Sequence, residues 1–361
     1  MIYFDKVANL NTSNPYSLTS GEKSKIFVEL LNELTEHHLI NSILYNNIIK
    51  NNFDKQPACK IEEIPFIPVR LFKLMDLKSI SDSNIFKVLT SSGTSGQSVS
   101  KIFLDRENAS YQSKILRLIV SDILGQERLP MLILDSDDLL KDRSRLGARA
   151  AGVIGFSIFG RNTCYALDPL LKLKIQEIIE FCSKNRETGI FLFGFTFVIW
   201  KYFYLFLESE DLYLDFGTKS RMLHGGGWKK LADESVTNEK FKSNIFDKTK
   251  ISSIYNYYGM IEQTGSIYME CEFGYFHTSN YSDIIIRDPI SYKPLRYGEL
   301  GLIQVISLLP RSYPGHSLLT EDIGVCLGED DCACGRLGKY FHVHGRLESS
   351  EIRGCSDARQ Y

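Results

Sequence analysis

The chain has 361 residues, 43% hydrophobic and 24% charged, with a formal net charge of −2. That length and composition suit one large globular domain or two ordinary ones. The near-neutral balance removes any electrostatic case for nucleic acid or an anionic membrane surface as partner.

The opening "MIYFDKVANLNTS" lacks a basic segment followed by an apolar one, so no secretory signal is expected. Eight cysteines in a chain of this size, without an export signal, imply the reducing cytoplasm. In that setting close cysteine pairs point to metal or reactivity rather than disulfides. From Ser20, "SGEKSKIFVELLNELTEHHLINSILYNNIIKNNF" shows apolar residues at helical spacing (Phe27, Leu30, Leu31, Leu34). One or two helices are predicted, with Ser20 as N-cap, so that residues 1–60 form a helical N-terminal cap. His37 and His38 are expected on the solvated helix surface.

"IEEIPFIPVRLFK", with Pro65 and Pro68, predicts an extended connection. Strands and helices then alternate. "NIFKVLT", "MLILDS", "GIFLFGF", "RMLHGGGW", "ISSIYNYYG" and "LGLIQVISLL" are predicted strands, and "RENASYQSKILRLIVSDIL" and "LLKLKIQEIIEFCSKN" predicted helices. Such alternation predicts an α/β fold. The run Ile190–Leu207 reaches the lower length limit of a membrane span, but Gly194 and Lys201 interrupt it. A buried strand, a glycine turn and a core helix are expected, and no membrane span.

The run "TSSGTSGQSVSK" follows the first predicted strand. Glycines let the backbone curl so that successive N–H groups face one anion, hydroxyls add donors, and a lysine adds charge. It is not a Walker A loop, and by itself it also fits a surface turn. Its wording resembles the phosphate loop of adenylate-forming enzymes, filled here by Thr90, Ser91, Ser92, Gly93, Thr94, Ser95, Gly96 and Lys101. Further motifs follow in that family's order. "HGGGWKK" resembles the adenine loop (Gly225, Gly226, Gly227, Trp228). "YYGMIEQ" resembles the Tyr-Gly-x-Thr/Ser-Glu motif (Tyr258, Gly259, Glu262), with Ile261 where the family has a hydroxyl. "LLTEDIG" supplies the ribose aspartate, Asp322, and "HGRLES" the hinge arginine, Arg346. The resemblance implies the large N-terminal domain of the adenylate-forming fold, ATP and Mg²⁺ as cofactors, and Glu262 helping to hold Mg²⁺.

Such enzymes continue beyond the hinge into a small domain carrying a catalytic lysine. Here 15 residues follow Arg346. This pattern resembles the LuxE-type acyl-protein synthetases of the fatty acid reductase complex in luminous bacteria. They share the "IPFIPVRLFK" entry, the "GGGWK" loop and a tail cysteine in a Gly-Cys context, here Cys355. The resemblance implies a domain over 1–345 and a tail over 346–361. It implies ATP-dependent activation of a carboxylic acid, a fatty acid by default, and an acyl thioester on Cys355. Lys101 and Glu262 would serve the chemistry, and an acyl reductase or an acyl carrier would be the partner. A thiolate suits the second step because it is strongly nucleophilic near neutral pH. Two other readings stay open: an acyl- or aryl-CoA ligase, or adenylate donor to a separate carrier, with Cys355 idle; and a non-catalytic nucleotide-binding subunit of a reductase complex.

A second constellation comprises "ECEFGYFH" (Cys271, His277) and "DCACGR" (Cys332, Cys334). Two cysteine-bearing turns brought together would offer a Cys₃His set for a structural zinc; the alternative is unliganded thiols. Cys326 is expected in a buried strand, and Cys59, Cys164 and Cys182 as ordinary thiols.

Overall fold

The computed structural model describes residues 3–10, 13–53, 56–91, 99–140, 148–228 and 235–346. The chain divides into two compact units, the second built mainly from 124–258 and the first from the segments on either side.

In the second unit five strands run parallel. Their spatial order is Ser253–Tyr258, Arg221–Gly225, Phe191–Phe195, Leu129–Ser136, Gly160–Leu167. Phe191–Phe195 and Leu129–Ser136, both inner strands, read as near-continuous apolar runs because parallel strands covered by helices are buried on both faces. Leu132, Leu192 and Met222 are fully buried with Ile199, Phe203 and Phe216. Burying each such side chain contributes roughly 1.5–3 kcal/mol.

The run Ile190–Leu207 resolves into strand Phe191–Phe195 followed by helix. Residues Ile199–Tyr204 of that helix take π geometry. Gly194 does not make the expected turn. It lies inside the strand, where a Cβ would sit 3.0 Å from Ile199 and Leu134, so its role is close approach. Among the described residues no helix is long and apolar enough to cross a membrane.

The first unit holds an antiparallel sheet in the order Ser282–Arg287, Leu300–Ser307, Ser317–Glu329, Lys339–Arg346, Phe276–His277, Tyr268–Glu270. Its N-terminal part is helical as expected, over Ser20–Asn41 and Ile43–Asn52. The cap lies one residue earlier than expected: Thr19 accepts from the Glu22 N–H, and the Glu22 carboxylate accepts from the Thr19 N–H at 3.0 Å. The expectation for His38 was wrong. Its ring is fully buried, bonded to the Ser79 hydroxyl (2.7 Å) and the Pro310 carbonyl (3.2 Å), and stacked 5.0 Å from His316. Residue 38 continues the buried face of Leu31 and Leu34 by one helical turn. The "IPFIPVRLFK" entry holds a two-residue strand, Ile67–Pro68, and one turn of helix, Leu71–Leu74.

Candidate active site

The strand order of the second unit reverses between Leu129–Ser136 and Phe191–Phe195. From the first of these the chain steps outward to Gly160–Leu167, then returns to the opposite side. In open parallel sheets the crevice at the carboxyl ends of such strands is where ligands bind. Asp135 and Ser136 end one of these strands, Phe195 and Thr196 the other, and Gly225 the next strand over.

The three predicted glycines are placed by steric necessity. A Cβ at Gly225 would lie 2.5 Å from the Tyr257 ring, and one at Gly226 would lie 2.6 Å from Phe195. Gly226 and Gly227 have φ of +82° and +64°, a region that penalises side chains. No described atom comes within 4 Å of a Cβ built at Gly227, so this backbone faces open space. The Trp228 ring packs edge-on against Trp200 (5.3 Å) and Phe241 (6.1 Å). Tyr258 ends its strand, and its neighbour Tyr257 is the ring that backs Gly225, a contact the sequence reading missed.

Thr196 fastens the start of the glycine run. Its hydroxyl donates to the Gly225 carbonyl at 3.1 Å and lies 2.9 Å from Nδ1 of His224. One hydroxyl carries one proton, so Nδ1 is the donor to it and the lone pair sits on Nε2. That nitrogen is buried with no hydrogen-bond partner among the described residues. Burial, with Lys242 adding to it, pulls the His224 imidazolium down to about 3, so the ring is neutral. Beyond it, Arg149 grips Asp135 through two bonds of 2.6 and 2.9 Å, both side chains being almost fully buried. Burial raises the Asp135 carboxyl, against the pull of Arg149. Neither His224 nor this pair was singled out by sequence; no spacing rule marks them.

The first unit positions the other candidates. Thr90 and Lys101 are register partners in the ribbon Lys87–Thr90 with Lys101–Leu104. Ser91 N–H donates to the Ser100 carbonyl (3.0 Å), and Ser100 N–H donates to the Ser91 hydroxyl (2.8 Å). The predicted phosphate loop therefore leaves and rejoins one rung of a ladder. Ser92, Gly93, Thr94, Ser95 and Gly96 themselves lie outside the described residues. The Lys101 ammonium pairs with Asp76 at 3.3 Å on the exposed surface. Asp322 and Arg346 are brought together as register partners with an ion pair of 3.1 Å. The Thr320 hydroxyl accepts from the Asp322 N–H at 3.1 Å and donates to the Ile303 carbonyl. Gly259 follows the last parallel strand, and Glu262 is buried in the turn Ile261–Gln263. Cys355 lies outside the described residues.

The Cys₃His set is assembled. One ligand atom from each of Cys271, His277, Cys332 and Cys334 lies within 4.8 Å of every other, three of the residues being buried. The topology does this. The turn after Tyr268–Glu270 carries Cys271, the hairpin turn after Ser317–Glu329 carries Cys332 and Cys334, and the two hairpins are sheet neighbours. Burial raises the Cys332 thiol to about 12 and lowers the His277 imidazolium to about 3.

Parallel strands, one of them ending in a glycine run, together with an aspartate–arginine pair on antiparallel strands, are the frame of adenylate-forming ligases. The chain superimposes with a TM-score of 0.71 on an open conformation of 2-hydroxyisobutyryl-CoA ligase bound to 2-HIB-AMP and CoA. The match covers 93% of this chain and 77% of that one at 15% identity. The same ligase in its postadenylation state gives 0.68 over 92% and 69%.

Within that class, a model of the acyl-protein synthetase family LuxE matches residues 5–360, and the chain belongs to that family. Two long-chain-fatty-acid–luciferin-component ligases are similar to it, each 23% identical over 369 aligned positions. That of Aliivibrio fischeri aligns with 95% of this chain and 90% of its own, and that of Vibrio harveyi with 98% and 91%. The protein is thus a ligase of the acyl-protein synthetase type with an adenylate-forming fold.

Proposed function

We propose that the chain turns a long-chain fatty acid and ATP into an acyl-adenylate, then carries the acyl group as a thioester on Cys355 for a partner acyl reductase. The observation that carries this reading is the glycine run at the carboxyl end of Arg221–Gly225, exposed and with positive φ at Gly226 and Gly227, in a chain matched by the family model from 5 to 360. The substrate class follows the names of the two relatives.

In the first step a carboxylate oxygen attacks the α-phosphorus of ATP. The new O–P bond forms as the bond to pyrophosphate breaks, and the electron pair leaves with pyrophosphate. The backbone of 225–227, exposed at Gly226 and Gly227, would receive the adenine, Asp322 and Arg346 the ribose, and Thr90, Ser91, Lys101 and the loop between them the phosphates. Mg²⁺, when bound, would neutralise the phosphate oxygens. The buried Glu262 carboxylate is the acidic side chain suited to hold it. In the second step the Cys355 thiolate attacks the acyl carbon. A C–S bond forms, the C–O bond to AMP breaks, and the thiol proton goes to solvent. None of the seven described cysteines forms a disulfide, which fits a reducing cytoplasm.

Acid-dependent exchange of labelled pyrophosphate into ATP tests the first step, read across fatty, aryl and amino acids. Exchange with long-chain fatty acids is expected; none with any acid would leave only a nucleotide-binding subunit. Mass spectrometry after incubation with ATP and acid tests the second. An acyl adduct absent from Cys355→Ser is expected. An adduct that persists there, or acyl-CoA formation without any adduct, would overturn the thioester relay.

A further inference from the structure

We infer that Cys271, His277, Cys332 and Cys334 hold a structural zinc ion that fastens two sheet turns and the N-terminal segment 14–20 into one corner of the first unit. This stands independently of the acyl chemistry.

The local backbone is built for ligation. Cys271 and Cys332 each open a four-residue turn. The Gly274 N–H returns to the Cys271 carbonyl at 3.0 Å, and the Gly335 N–H returns to the Cys332 carbonyl at the same distance. Both glycines have positive φ, +84° and +78°. Two unrelated stretches of chain thus take the same glycine-closed turn and present thiols to one point.

The separations fit as well. Zinc bonds of about 2.3 Å to sulfur and about 2.0 Å to nitrogen, at tetrahedral angles, put sulfur and nitrogen roughly 3.5 Å apart. Cys334 Sγ lies 3.4 Å from His277 Nε2. A lone S–H···N bond would account for that pair but not for four donors gathered within 4.8 Å. Three thiolates and an imidazole select a borderline-soft, tetrahedral cation, and four protein ligands leave no open coordination position. Binding forms three Zn–S bonds and one Zn–N bond, and three thiol protons pass to solvent. The complex then carries one net negative charge. Arg336, next but one to Cys334 and bonded to Asp122 at 2.8 Å, supplies a cation beside it.

The corner is also where the N-terminal segment is stitched down. Leu337 N–H donates to the Tyr16 carbonyl (3.0 Å), and the Arg336 guanidinium lies 5.0 Å over the Tyr16 ring. That ring meets His277 edge-on at 6.2 Å. Ser20 N–H donates to Asp330, and Asn280 bonds to Asn14, Pro15, Ser17 and Leu18. All these partners lie within the loops that carry the ligands or directly beside them.

The test is the metal content of the full-length protein purified from zinc-supplemented medium, with hydrogen exchange of residues 13–20. One zinc per chain, lost in Cys334→Ser and retained in the exposed-site control Cys59→Ser, is the expected result. Chelation should raise exchange at 13–20 several-fold. Should Cys334→Ser fail to fold, titrating the wild-type thiols with a mercurial decides: zinc leaving as three thiols react supports the site. A protein without zinc, zinc unchanged in Cys334→Ser, or zinc retained while the thiols are blocked overturns it. Zinc lost without faster exchange at 13–20 overturns the fastening role.

Discussion

The glycine run of the second unit and the Cys/His corner of the first are built in opposite ways. At 225–227 the side chain is excluded: Tyr257 and Phe195 occupy the places where two Cβ atoms would go, and the third residue faces open space. In the corner, four side chains converge on backbone turns that repeat one another. A site made of backbone is destroyed by adding atoms, whereas a site made of donors is destroyed by removing them. The first kind resists loss of any one distant side chain; the second is only as good as its weakest ligand.

That contrast can be broken experimentally. Gly226→Ala, with a Cβ forced to 2.6 Å from Phe195 at φ +82°, is expected to lower pyrophosphate exchange about a hundredfold, since a displacement of about 1 Å suffices for that. Adding Phe195→Leu should return part of the loss. Cys332→Ser should leave exchange within a few-fold of wild type in whatever fraction remains folded. If both substitutions act equally on exchange, the two regions are not separate in function.

Acid comes next. His224 beside the glycine run, and His316 in the first unit, are held neutral by burial with imidazolium values of about 3; His38 is depressed by burial and by His316. A depressed histidine contributes stability above its unfolded value of about 6.5, and that stability is lost as pH falls toward the folded value. At pH 5 the unfolded chain gains about 2 kcal/mol per such histidine. Urea unfolding at pH 7 and 5 should show a loss of several kcal/mol; a loss smaller than one histidine's share would mean these rings are not buried neutral.

Smaller effects sharpen the picture. Thr196→Val removes the bonds to His224 and Gly225 and should cost about 1–2 kcal/mol of stability, with a rise in KM for ATP. Asp322→Asn breaks a half-exposed ion pair with Arg346. It should cost under about 1 kcal/mol in unfolding while still raising KM for ATP, the mark of a side chain kept for its ligand.

The two regions were unequally legible in the sequence. Glycine reports backbone freedom directly, so "RMLHGGGW" could be read as a strand ending in glycines, and the resemblance to adenylate-forming enzymes implied that a flat base approaches it. Cysteine reports donors, so "DCACGR" and "ECEFGYFH" could be paired before any geometry was known. What supports them could not be read. Adjacent tyrosines point to opposite faces of a strand, so only register decides that Tyr257 backs Gly225. Asp135 and Arg149 sit on different elements, and no spacing rule joins them. His38, by contrast, carried a signal that was passed over: Leu31, Leu34 and residue 38 share one helical face. The α/β alternation survived because buried parallel strands announce themselves as apolar runs, and the same logic turned the apolar stretch 190–207 into a strand and a helix.

The stitching of residues 14–20 has a consequence for the order in which the protein is made. Ser20 bonds to Asp330, 310 positions downstream, and Ser17 to Asn280, 263 downstream. At a synthesis rate of about 5–20 residues per second, the first of these contacts waits roughly 15–60 s for its partner to leave the ribosome. The parallel sheet of 129–258 emerges whole during that interval, while the amphipathic helix Ser20–Asn41 stands without its sheet. Residues 14–41 are thus among the last to dock, and over that interval the apolar face of their helix is a surface for chaperones.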